Sequence, residues 1–91
     1  MDFTVYILRT SANTFYTGQT NNLEKRLKEH KSKNSKSAKY MRRFDSFELY
    51  YKENCSTRAQ ALRRETQIKN LSHDQKAALI KKADKRHWEA R

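Results

Sequence analysis

Five polar side chains fall where this sequence otherwise places apolar ones: Tyr6, Tyr16, Arg26, His30 and Glu65. Their chemistry is complementary. A carboxylate on a core-facing stripe is costly unless it is paired or bound to a metal. A guanidinium grips an oxyanion through two parallel hydrogen bonds. An imidazole, with an ordinary pKa of about 6.5, accepts a proton near neutrality, and a phenol does so only if its pKa falls well below about 10. The set suits proton transfer beside an anionic group.

The elements that must carry these residues follow from spacing. "LEKRLKEH" has Leu23 and Leu27 four apart, the buried stripe of a helix. At about 100° per residue, His30 falls about 20° from Leu23 and Arg26 about 60° on the same flank. The ordinary alternative is a half-exposed helix edge with a histidine tip in water. In "ALRRETQI", Glu65 lies about 40° from Ala61, between Leu62 and Ile68. Its ordinary alternative is an i,i+4 ion pair with Lys69. A hairpin centred near Ala12 sets Tyr6 opposite Gly18 and Leu8 opposite Tyr16, so both tyrosines emerge on one face. Gly18 then leaves a notch beside Tyr6. The alternatives are core aromatics and a glycine bulge.

The rest of the chain supports that frame. "FTVYIL" (3–8) and "FYTGQT" (15–20) are strands, and Asn21 or Asn22 caps the first helix. Residues 44–55, "FDSFELYYKENC", form a third strand. A helix opens after Ser56 or Thr57. Another opens at Ser72, which stands at capping-box spacing from Gln75; His87 and Trp88 continue that helix or dock as a tail. The order is ββαβαα, an α/β (α+β) class with a small three-stranded antiparallel sheet flanked by helices.

Ninety-one residues make one small domain. Lys and Arg number 21 against 10 Asp and Glu, a net charge of +11 that favours a polyanionic partner, most often nucleic acid. The stretch 31–43 holds six basic side chains and no acidic one. Cys55 is the sole cysteine, which excludes an internal disulfide and suits an intracellular, cytoplasmic location. Apolar runs such as Val5-Tyr6-Ile7-Leu8 are far too short to span a bilayer, and no signal peptide is expected.

Taken in order, "VYIL", "FYTGQT", Arg26-x3-His30 and a helical Glu65 resemble the GIY-YIG endonuclease superfamily, in particular its small stand-alone bacterial members. The resemblance extends over residues 3–81 and includes "SAKYMRR" and "ALRRETQIKNLSHDQKAALI". The first motif lacks its glycine, and Thr17 stands where the second has isoleucine. Asn70 is the nearest asparagine downstream of Glu65, at a spacing shorter than the family's.

The resemblance implies a GIY-YIG nuclease domain over residues 1–83 with a basic tail over 84–91. It implies metal-dependent hydrolysis of DNA phosphodiesters, with Glu65 as metal ligand and Arg26 as phosphate-binding cation. His30, Tyr6 and Tyr16 match the polar groups around the attacking water, and the general base stays open between Tyr6 and His30. A lone carboxylate suits Mg²⁺ or Mn²⁺. Gly18, Lys31, Lys33, Lys36, Lys39, Arg42, Arg43 and Lys69 are expected along the nucleic acid, and Tyr40 can stack on an exposed base. The expected partner is DNA, with RNA and branched or single-stranded DNA as further substrates, handled in DNA repair or processing by a monomer or weak dimer. The rival reading is a non-catalytic or partner-dependent nucleic-acid-binding module.

Overall fold

The computed structural model describes residues 2–32, 44 and 46–89, with side chains as far as Lys82. Strands β1 (Phe3–Thr10) and β2 (Phe15–Thr20) are followed by α1 (Leu23–Ser32), β3 (Phe47–Cys55), α2 (Arg58–Lys69) and α3 (His73–Glu89). The three strands form one antiparallel sheet in the order β2-β1-β3. This is the expected ββαβαα architecture. The third strand starts at Phe47, three residues later than its sequence suggests, and Phe44 lies in a bend.

Local chemistry sets the boundaries. Thr10 organises the β1–β2 turn: its hydroxyl accepts hydrogen bonds from the backbone N–H groups of Ala12 and Thr14, at 3.3 and 3.2 Å. Asn13 takes a positive φ of 65°, a conformation that asparagine tolerates better than most residues. Asn22 caps α1 by accepting from the Lys25 N–H, and Thr57 caps α2 by accepting from that of Gln60. At α3, Ser72 and Gln75 exchange side chain-to-backbone bonds of 3.1 and 2.9 Å, a complete capping box.

The central strand is buried on both faces, which is why "VYIL" is continuously apolar in bulk. Val5 and Ile7 meet Ala61 and Ile68 of α2 and Ile80 of α3. Tyr6 and Leu8 face the other way, towards Leu23 and Leu27 of α1, with Tyr16 and Phe47 beside them. Between Ile7 and Leu8 the register with β3 slips by one residue, so Tyr50 and Tyr51 both pack on the α2/α3 side. There the Arg9 guanidinium donates to the Tyr50 hydroxyl at 2.8 Å. Among the described residues no helix is long and apolar enough to cross a membrane.

Candidate active site

Two layers bring the polar residues together. The hairpin register pairs Tyr6 with Gly18 and Leu8 with Tyr16, as the sequence suggests. The two phenol rings share the α1 face, with centroids 6.4 Å apart. Helix α1 then lays His30 over them. His30 is 1% exposed, less than either leucine of its own helix, so it is the central contact of α1 and no solvent-facing edge. Its imidazole is ringed by Tyr16 at 5.5 Å, Phe47 at 6.1 Å and Tyr6 at 6.3 Å, all edge-on.

The notch expected over Gly18 is occupied. A Cβ at position 18 would sit 2.6 Å from the Tyr6 hydroxyl oxygen and 2.8 Å from Cζ. The tyrosine ring leans across the strand pair and covers the glycine. Its hydroxyl thereby comes to 3.1 Å from His30 Nε2.

The electrostatics of that contact are specific. Burial, reinforced by the neighbouring Tyr16, pushes the Tyr6 phenol up to about 12, against the opposing pull of Arg26. Burial, together with the Arg26 charge, pushes His30 down to about 4, with Glu29 opposing. At neutral pH the phenol therefore keeps its proton and the imidazole is neutral. Arg26 also hydrogen-bonds the Tyr6 oxygen. In the tautomer with the proton on Nδ1, the Tyr6 O–H donates to His30 Nε2.

Arg26 stands at the rim, half-buried, and its Nη1 donates to Glu29 Oε1 at 3.0 Å. Its guanidinium is held above its usual pKa: burial acts against the charge, and the bonds to Glu29 and Tyr6 outweigh it. Glu65 approaches from α2. Its side chain is 18% exposed, and Oε2 lies 3.7 Å from Lys69 Nζ, so the i,i+4 pair forms. The carboxylate is near enough to act on the Tyr6 phenol through space. Leu62 is not part of its stripe, being 41% exposed; Ala61 and Ile68 alone are fully buried on α2. Asn70 is the C-cap of α2, its backbone N–H bonded to Thr66 and Ile68.

Tyr6, Tyr16, Gly18, Arg26 and His30 thus come together. Glu65 is carried by α2, which packs on the other face of the sheet, and it reaches the cluster only as a charge acting on the Tyr6 phenol. Lys31 and Lys69 are exposed. Lys33, Lys36, Lys39, Tyr40, Arg42 and Arg43 lie outside the described residues. Two participants escape the sequence reading. Glu29 was accessible in principle, since its i,i+3 spacing puts it on the flank of Arg26. Phe47 reaches His30 only through the sheet, and nothing local marks it.

The chain is similar to known proteins over most of its length. The family model of the GIY-YIG catalytic domain matches residues 2–78. A UPF0213 protein of Desulfotalea psychrophila is 41% identical over 81 residues, covering 89% of this chain and 73% of its own length. Another, from Syntrophus aciditrophicus, is 43% identical over 82 residues, 90% of this chain and 93% of its own. The solution NMR structure of a UPF0213 protein from Bacillus halodurans is similar with a TM-score of 0.57 at 34% identity, over 89% of this chain and 84% of that one.

Proposed function

The chain belongs to the GIY-YIG catalytic-domain family, and from that premise we propose that it is a divalent-metal-dependent endonuclease acting on DNA. The observation that carries the reading is the buried Tyr6–His30 contact with Arg26 against the same phenol. A phenol and an imidazole in hydrogen-bond contact satisfy each other as buried polar groups, and the guanidinium beside the same phenol adds a group that can hold a phosphate oxygen.

The donor chemistry fits a hard cation. Glu65 is a half-buried carboxylate whose one ion pair among the described residues, to Lys69, is long at 3.7 Å. Mg²⁺ is commonly held by one or two carboxylates, with waters and substrate phosphate oxygens completing its shell. Glu65 would hold Mg²⁺ or Mn²⁺, which when bound polarises the phosphate and stabilises the leaving oxygen.

The chain's own residues do the rest. Arg26 grips the non-bridging phosphate oxygens and carries the growing negative charge. As the oxygen of the attacking water bonds to phosphorus, its proton passes to the phenol oxygen and the phenol's own proton to His30 Nε2, because neither group is a strong enough base to hold that proton beforehand. The phosphorus–oxygen bond opposite breaks in the same displacement. Burial is the larger cause of the His30 depression and stays; a phosphodiester beside Arg26 offsets the second, the guanidinium charge, so the imidazole gains some basicity when substrate is bound. Tyr16 borders the relay as a positioning hydroxyl. The phenol is pushed up and not down, so Tyr6 does not meet the condition for a base of its own, and the proton of this step ends on His30.

Excess positive charge, with Lys31 and Lys69 exposed, favours binding along the phosphate backbone with weak sequence preference. Structured DNA, RNA or single strands, a role in DNA repair or processing, and an intracellular setting go with the same reading. The decisive measurement is cleavage of a panel of labelled duplex, branched and single-stranded DNAs and RNAs, with and without Mg²⁺, wild type beside Glu65→Gln. Loss of at least about 10²-fold in the variant is expected, and equal rates would sink the mechanism. The 1% exposure of Tyr6 and His30 favours one rival, a binding module without activity of its own. Retardation of the same panel without nicking at any Mg²⁺ or Mn²⁺ concentration would establish that rival.

A further inference from the structure

Helix α2 is held against the sheet in an unbalanced way. Its two fully buried side chains, Ala61 and Ile68, lie about 20° apart around the helix, two turns from each other. Such a line fixes how far the helix sits from the sheet and leaves it free to roll about its own axis. On one flank Leu62, about 100° from Ala61, is 41% exposed and restrains little. On the other flank, about 60° from Ala61, is Arg64.

Arg64 is tied at both ends. Its Nε donates to Glu53 Oε1 of β3 at 2.9 Å, and its Nη1 donates to Gln67 Oε1 at 3.2 Å. The same Glu53 oxygen accepts from the Tyr51 hydroxyl at 2.6 Å. An isolated surface ion pair contributes little because both side chains lose freedom to make it. Here the carboxylate is fixed by a phenol on its own strand and the guanidinium by an amide on its own helix. The pair therefore acts as a brace between β3 and α2.

The residue after Arg64 is Glu65. With a side-chain end about 6 Å from the helix axis, each 10° of roll moves its carboxylate by about 1 Å. Displacements of that size matter to metal and reaction geometry.

We propose that Glu53 and Arg64 are positioning residues that set the roll of α2 and thereby aim Glu65, an inference resting on the reading of Glu65 as the metal-holding carboxylate. Neither residue is among the site residues named above. Their effect passes through Glu65 alone.

The test titrates Mn²⁺ by calorimetry and by electron paramagnetic resonance, beside DNA cleavage. It compares wild type, Glu53→Gln, Glu65→Gln and the double variant. Arg64→Lys, which keeps the charge and loses the fork, gives an independent second variant. Thr57→Ala, which removes the α2 cap, serves as a destabilised control. Glu53→Gln and Arg64→Lys are each expected to weaken Mn²⁺ binding about tenfold and to lower kcat with KM for DNA unchanged. The Thr57→Ala protein should bind Mn²⁺ as wild type does. In the Glu65→Gln background, Glu53→Gln should cost nothing further. Wild-type Mn²⁺ affinity in both brace variants, or losses that add in full to Glu65→Gln, overturns the inference while leaving the metal reading intact. Equal Mn²⁺ binding by wild type and Glu65→Gln overturns both.

Discussion

The Tyr6 hydroxyl stands 3.1 Å from Nε2 of His30, and each of the two side chains is 1% exposed. The contact joins the central strand to the helix packed over it. It sets the phenol against the imidazole, and burial drives their pKa values apart, the phenol up to about 12 and the imidazole down to about 4. Each side chain holds the other in place through that contact.

Tyr6→Phe and His30→Gln should therefore behave as one lesion. Each is expected to lower kcat by about 10²- to 10⁴-fold, and the double variant by no more than the worse single. Single-turnover cleavage with Mg²⁺ measures this. A double loss equal to the product of the singles would show that the groups act independently.

Stability should carry the same signature. The folded pKa of His30, about 4, lies below the ordinary 6.5, so the unfolded chain takes up the proton first as pH falls. Stability then drops between about pH 6.5 and 4 and levels off below, for a total of about 3 kcal/mol. Urea denaturation at a series of pH values should show that slope in wild type and a shallower one in His30→Gln.

Removing the guanidinium should free the imidazole in part. Arg26→Gln takes away the second cause of the His30 depression and leaves burial, the larger one. NMR titration of the imidazole C–H signals should show a pKa above that of wild type and still below 6.5. Losing a charged hydrogen-bonding partner of phosphate should also weaken oligonucleotide binding by about 1.5–3 kcal/mol, or about 10- to 100-fold.

Gly18→Ala should act at a distance of one methyl group. The new Cβ would press on Tyr6 at 2.6 and 2.8 Å and force the ring off His30. A destabilisation of about 1–3 kcal/mol is expected, with kcat reduced as far as in Tyr6→Phe. Thermal unfolding and cleavage assays read the two effects separately.

Much of this molecule is legible in its sequence where local rules dominate. The hairpin pairs, the Ser72–Gln75 box and the Glu65–Lys69 pair all follow from spacing. Long-range packing is what stays hidden. Helical periodicity placed His30 near the leucine stripe, but only the tilt of α1 over β1 decides that histidine goes deeper than leucine. The slip at Tyr50 has no glycine or proline to announce it, and the notch at Gly18 is filled by a ring from the neighbouring strand. Even the fork between Arg64 and Glu53 joins residues whose separate positions look like ordinary charged surface.

Position 18 is hostage to position 6. Because the obstruction to a Cβ is the Tyr6 side chain itself, alanine becomes tolerable there only in a lineage that has first shortened residue 6. By then the contact of the phenol with His30 is gone. The glycine thus works as a latch: what position 18 can hold and what position 6 can reach are settled by one and the same contact.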